Sequence, residues 1–443
     1  MAVATDHSTA DLLPDSPVRR GRFGGVLTNP ALRQLWLAQL FAGFGQAVAT
    51  VAMPLLVYDI TGSAGLLSLV FILQQVPWIL LSPIGGLLAD RLDRRRLMIA
   101  ADLERACLVV FLPFTTEVWQ IALIAGLAGI GNAIARPAEL AAVPMVATGD
   151  QLVPALSLSQ VSNGVMRIAG PAAGAGIVGI AGPDPAFWLQ AACFFGSVAC
   201  LWNLVLPIQA REAATETARG LVAAARRDVT EGLRTVWRVP IVRGITATEG
   251  LWGFVNAGLV VAGVVLTKET LNLGDRAGTV FGLLTASASF GAVLGALLAS
   301  RVERRIGRPL LMAIGYLGPL MIVPTGLTPP LWTIFLCWFA LGFTDAWAVI
   351  AMQSYLAEAV PDNLRGRVYA TWGAVITFAG LIAFALVGWM TPRIGAPLTL
   401  TVCGAIVGIG GPLMLILTGA LADVRRQATG GRRQASGEPS SFP

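Results

Sequence analysis

Apolar runs of about twenty residues, broken by short polar or charged stretches, fill the chain almost from end to end. A run of that length is what an α-helix needs to cross a bilayer, because in hydrocarbon each backbone amide must be satisfied within its own helix. Twelve such runs can be read, near residues 34–58, 65–89, 97–115, 119–146, 153–181, 185–207, 241–267, 275–299, 309–325, 331–357, 365–389 and 395–421. Most exceed the minimum for crossing, so tilted spans are expected. The rhythm changes once, between the sixth and seventh runs, where residues 209–240 turn polar. Within them RGLVAAARRDVTEGLRTVW sets Leu221, Ala225, Val229, Leu233 and Trp237 at i, i+4 spacings, with Arg226, Arg227 and Arg234 elsewhere on the helix. This predicts an amphipathic helix that lies along the lipid surface or simply joins two halves. The chain thus divides into an N-tail (1–30), a six-span half (31–208), the linker (209–240), a second six-span half (241–421) and a C-tail (422–443) of disordered composition.

Composition agrees with a membrane solvent: 55% of the 443 residues are hydrophobic and 13% charged, against about 25% charged in soluble domains. The net charge of +6 rests on arginine, with Lys268 the single lysine. Most of these arginines sit in the loops, linker and tails that flank the apolar runs, which points to anionic lipid rather than nucleic acid as the partner. If both termini are cytoplasmic, 25 of the 31 Lys and Arg residues fall on the inner side. Such an excess orients a polytopic chain. The opening MAVATDHSTADLLPDSPVRRGRFGG does not read as a secretory leader, so the first span is expected to serve as its own insertion signal. Usage rich in Ala, Gly and Arg leans towards a bacterial plasma membrane.

Several chemistries lack material. His7, in the polar tail, is the one histidine, and the five cysteines show no CxxC spacing, so neither a metal site nor His-dependent catalysis is expected. Lys268 precedes Glu269, which removes a GxxxxGK[ST] phosphate loop. No cofactor is called for, and an enzyme is not expected. A non-transporting receptor or scaffold is a further alternative; it predicts that carboxylates inside the spans can be neutralised without loss of function.

One charged hinge is written twice. GGLLADRLDRRRLMI from Gly85 and GALLASRVERRIGR from Gly295 each follow the second span of a half. Aligned on those glycines, Leu87, Leu88, Ala89, Arg91, Arg94 and Arg95 coincide with Leu297, Leu298, Ala299, Arg301, Arg304 and Arg305, while Asp90 is replaced by Ser300. Duplicated halves suit a transporter that rocks about a central site.

On these residues the chain resembles the major facilitator superfamily. Gly86, Asp90, Arg91, Arg94 and Arg95 match that family's loop motif, with Asp93 where the family has a glycine. MPLLVYDITGS from Met53, ADLERA from Ala101, ARPAELAAVP from Ala135 and VPDNLRGRVYATW from Val360 resemble the drug and siderophore exporters, such as macrolide and enterobactin efflux proteins. The resemblance spans residues 29–421. It implies an all-α polytopic membrane protein with twelve transmembrane helices in two six-helix halves, the major facilitator fold. It also implies that Asp90 latches onto the start of span eleven, near Asp362 to Arg365, when the cytoplasmic side is closed. The alternative is that the motif only anchors topology.

Ionisable side chains within spans are costly and mark function by default. Asp102 and Arg105 are i, i+3 neighbours that either neutralise one another or leave Asp102 to carry protons, and Arg136 and Arg167 are further partners for Asp102 or for an anionic substrate. Glu249 in TATEGLWGFVNAG and Asp345 in GFTDAWAVIAMQSY stand in apolar spans, as a proton carrier would, the alternatives being a buried hydrogen bond or a place in a cavity wall. Gln39, Gln46 and Thr50 share a face of span one and Gln74 and Gln75 lie in span two, suited to an uncharged part of a substrate. Trp78, Trp252, Trp338 and Trp347 offer an apolar wall, or pack between helices. Arg167, Gly170, Pro171 and Gly174 resemble part of the antiporter motif of span five. The expected function is proton-coupled antiport that exports a small amphiphilic compound, acting as a monomer. Movement of lysophospholipid or other lipid, or uptake, is the rival within transport.

Overall fold

The computed structural model describes residues 28–147, 149–206, 230, 233–360 and 365–420. The N-tail up to residue 27, Leu221, Ala225 and Val229 of the expected linker helix, Asp362 and the C-tail from 421 lie outside the described residues, as do the side chains of Asp90 and Arg365. Among the described residues twelve main helices follow one another: α1 Pro30–Thr61, α2 Ala64–Arg91, α3 Arg94–Val109, α4 Val118–Val146, α5 Leu152–Ala181, α6 Asp184–Trp202, α7 Pro240–Ala257, α8 Ala277–Ile306, α9 Arg308–Leu317, α10 Leu331–Ala359, α11 Arg365–Ile394 and α12 Ala396–Leu417. Eleven are, by themselves or with their continuations, long and apolar enough to cross a membrane. The exception is α3, which has 16 residues and carries Asp102, Glu104 and Arg105. It is extended by a 3₁₀ turn, Leu112–Phe114, and packs between α4 and α6, where its charges are screened from lipid.

Span three starts three residues before the expected 97 because Asp93 caps it, accepting from the backbone N–H of Arg95 (2.9 Å) and Arg96 (3.3 Å). The aspartate that departs from the family motif therefore begins a helix. Both hinges are shorter than the charge pattern suggests. α2 runs through to Arg91 and leaves only Leu92 and Asp93 between helices, while in the second copy Gly307 (φ 82°) is the whole break between α8 and α9. That left-handed conformation is open to glycine.

Two spans are wound irregularly. α7 continues through π-helical turns at Gly258–Ala262 and Leu266–Thr270, and α9 continues as a 3₁₀ stretch, Gly318–Leu327. Wide turns of this kind cluster at functional sites.

Without a hydrophobic drive between helices in lipid, close backbone approach holds the bundle together. In the second half a Cβ on Gly291 would overlap the carbonyl of Phe339, one on Gly295 that of Phe343, and one on Gly342 that of Ala288. This seam fixes α8 on α10. Gly342→Leu is accordingly expected to remove most of the folded protein, read as loss of the monodisperse peak after detergent extraction; a normal yield would count against the seam. In the first half Gly85, not Gly86, makes the tight contact, against the backbone of Ala133 in α4, whereas a Cβ on Gly86 would meet open space. Gly170 and Gly174 press α5 onto Ala47 and Val48 of α1.

The halves meet through α5 on α8 and α2 on α11. The bundle has one end that carries Pro30 and Leu417, here the terminal end, and an opposite, far end. Residues of both halves share one buried cluster towards the far end, including Val57, Leu67, Leu266, Phe281 and Phe384. Towards the terminal end the buried clusters are separate. One holds Leu35, Met98 and Val143 of the first half, and another Val242, Met312 and Met352 of the second. Among the described residues the buried core is shared by the halves at the far end and split between them at the other.

Candidate transport site

The far-end seal is polar as well as apolar. Tyr58 Oη donates to Glu269 Oε1, and Lys268 Nζ meets Asp59 Oδ1 at 2.6 Å. The π-turn at Leu266–Thr270 presents Lys268 and Glu269 to α1. Below them Phe71 of α2 stacks on Phe384 of α11 with ring centroids 5.5 Å apart.

Beneath the seal, three adjoining cavities form one cleft. A cavity of about 450 Å³ lies towards the terminal end, lined by Gln39, Gln46, Trp78, Arg136 and Glu139. It shares Gln46, Gln75, Arg105 and Asn132 with a second of about 320 Å³, which also holds Gln74, Gln190 and Asn256. The second shares Thr50, Asn256 and Val260 with a third of about 340 Å³, where Arg167 of α5 and Asp345 of α10 face the same space beside Trp252 and Trp338. The third is the one to which both halves bring a charge.

The charged and polar residues singled out within the spans have definite settings. Asp102 is buried, bonded to Arg105 Nη2 and accepting from Ser197 Oγ of α6 at 2.6 Å. Arg105 lies over the Phe194 ring, 4.6 Å from its centroid, and reaches the cleft. Asp102 is thus tied in an ion pair rather than open to the cavity. Glu249 lies on α7 and accepts from Tyr316 Oη at 3.1 Å, and Tyr316 is itself buried. Gln39 accepts from Ser159 Oγ at 3.2 Å, and Gln46 projects freely into the cleft. Arg136 is half-exposed and 3.6 Å from Glu139. Trp347 packs elsewhere, its Nε1 donating to the Gly295 carbonyl at 2.9 Å.

The arginines of the first hinge are ties. Arg94 donates to the carbonyls of Ala89 (2.9 Å) and Ala141 (3.1 Å), joining α2 to α4. Arg95 donates to the last carbonyls of α6, at Leu201 (2.9 Å) and Trp202, where a cation also complements the helix dipole. Arg91 is exposed. In the second copy Arg304 and Arg305 are exposed, and Arg308 takes the bridging role between Glu303 (2.9 Å) and Glu358 (2.5 Å).

Two six-helix halves around a central cleft is the form expected from the sequence, and residues 25–430 match the family described as transmembrane secretion effector. The chain belongs to that family of the major facilitator superfamily. Among relatives of these secretion effectors is the multidrug efflux pump Tap of Mycolicibacterium fortuitum, 29% identical over 378 residues, covering 81% of this chain and 88% of the pump. The enterobactin exporter EntS of Citrobacter koseri is 24% identical over 413 residues, covering 90% and 94%. Solved structures share the fold at low identity. A bacterial homologue of the iron transporter ferroportin in its inward-facing state superposes with TM-score 0.69 at 14% identity, covering 88% of this chain and 98% of that one. The peptide transporter POT in complex with sulfate gives 0.69 at 12%, covering 90% and 99%. The protein is a multi-span membrane transporter.

Sequence reasoning passed over Glu139, Asn132, Gln190, Asn256 and Tyr316, all of which line or support the cleft. Glu139 had a signal, since it follows Arg136 by three residues. The rest are single polar residues in apolar spans, whose facing depends on helix rotation.

Proposed function

We propose that this secretion effector exports a small amphiphilic compound across a bacterial plasma membrane in exchange for protons. With both termini cytoplasmic, as the arginine distribution favours, the open end of the cleft faces the cytoplasm. That is the state in which an exporter loads. Asp345 carries the coupling proton, Glu249 supports it from behind the cavity, and Asp102 holds Arg105 in place. Gln39, Gln46, Arg136, Arg167 and Trp252 form the walls met by substrate. One chain encloses the whole cleft, so a monomer suffices. The observation that carries this reading is that Asp345 and Arg167 line one cavity, a carboxylate of one half and a cation of the other. Protonation of Asp345 removes that attraction and frees the halves to rock. Two relatives whose names say efflux pump and exporter support the direction.

The test is transport in everted vesicles. Energised vesicles should accumulate substrate and release protons when it is added, and a protonophore should stop both. Accumulation indifferent to the protonophore, or transbilayer movement of a labelled lysophospholipid instead, would overturn the proposal. The gate is tested separately. Asp90→Ala should slow the transport cycle several-fold with substrate affinity unchanged, and lost affinity with a normal rate would count against a latch.

A further inference from the structure

Six carboxamide side chains converge on the 320 Å³ cavity in the middle of the cleft: Gln46, Gln74, Gln75, Asn132, Gln190 and Asn256. They come from five helices, α1, α2, α4, α6 and α7. Among the described residues none of the six is hydrogen-bonded to the protein, and the buried Gln190 keeps its Oε1 without a partner. Gln190, buried with its Oε1 unpaired, carries an unrecovered desolvation cost, while Gln46, Gln75, Asn132 and Asn256 stand exposed to the cleft, so the cluster is poised for a ligand or for water that a ligand replaces. Each offers two donors and an acceptor without charge.

Each cation of the cleft has a carboxylate beside it or lining the same cavity. Arg105 is bonded to Asp102, Arg136 lies 3.6 Å from Glu139, and Arg167 shares its cavity with Asp345. A cationic or anionic ligand would therefore give up hydration without an uncompensated countercharge to replace it. On the remaining wall Phe71, Phe194 and Phe384 supply an apolar face. We infer that this carboxamide cavity is the binding site for an uncharged compound bearing hydroxyl and amide groups on one side and an aromatic or aliphatic face on the other.

The assignment deepens the export reading and rests on it for its physiological meaning, but binding can be measured without a gradient. The full chain in nanodiscs is titrated calorimetrically with three probes: chloramphenicol, which is neutral with hydroxyls, an amide and a ring; tetraphenylphosphonium; and naphthalenesulfonate. Chloramphenicol is expected to bind at least about tenfold more tightly than either ion, and the Gln190→Leu, Asn132→Leu double variant to lose about tenfold in affinity. Gln190→Glu is expected to reverse the preference towards tetraphenylphosphonium, a change that mere loss of packing would not produce. An unaltered thermal unfolding midpoint in each variant shows that the fold is retained. No chloramphenicol binding, equal or tighter binding of either ion, or an unchanged preference in Gln190→Glu overturns the assignment. Intact neutral binding without proton-driven transport would instead defeat the export reading and leave the cavity assignment standing.

Discussion

Asp345→Asn is expected to abolish proton-driven efflux, lowering initial rates in everted vesicles by at least about tenfold, or ~1.4 kcal/mol in the barrier, while the protein still reaches the membrane. The substitution keeps the volume and hydrogen-bonding capacity of the side chain and removes only its charge and its proton. Asp345 lies at the middle of α10 and faces the cavity that Arg167 lines from the other half. In the charged state it attracts Arg167 across the cleft; in the protonated state it does not. Asparagine freezes the second condition, so the cycle loses the step that links proton entry to the movement of the halves. Glu249→Gln should be milder, because Glu249 stands behind the cavity on a bond from Tyr316. Asp345→Glu should restore part of the activity. If Asp345→Asn, Glu249→Gln and the double variant all export normally, the proton is carried elsewhere.

The parts of the molecule that were legible in advance are those set by local solvent preference. Eleven of the twelve expected spans, and their order, follow from apolar run length, and the helices begin and end within a few residues of the expected edges for most of them. The misplaced start of α3 has a local cause, the cap formed by Asp93, which the motif comparison treated as a departure. Lys268 and Glu269, which the sequence marks only as unable to form a phosphate loop, seal the far end because a π-turn rotates them towards α1. The site was less legible because lining a cleft depends on helix rotation and on partners distant in sequence. Asp102 and Arg105 could be paired from their spacing, yet the third member, Ser197, lies on α6. Asn132, Gln190 and Asn256 have no neighbour in sequence that marks them, and only the packing of five helices brings them together. Likewise Gly85 and Gly86 are indistinguishable as letters, and the approach of α4 selects the first.

Gly282→Leu is expected to trap the transporter with its far end open, leaving folded protein at normal yield but reducing export more than about tenfold. The contrast with Gly342 shows why. Gly342 lies in a seam within one half, so a side chain there opposes folding, whereas Gly282 lies between halves, where a Cβ would collide with Ala175 of α5. The same seam holds Gly278 against Val178 and Gly179 against Thr279, and on the opposite side Gly388 meets Ser68. These contacts exist only while the far end is shut. Overpacking costs ~1–3 kcal/mol, and since the halves can separate, that cost falls on one conformation rather than on the fold. A penalty of ~2.7 kcal/mol shifts a two-state population by about a hundredfold, enough to invert the balance between the sealed and open forms. Spin labels at Thr61 and Asn272, on opposite halves of the far end in a cysteine-free background, should report a longer distance in Gly282→Leu than in the parent. Gly282→Ala, which adds the Cβ alone, should lie between them. An unchanged distance together with normal export would mean that the α5–α8 seam does not open during transport, and alternating access in this protein would then have to proceed through the α2–α11 seam alone.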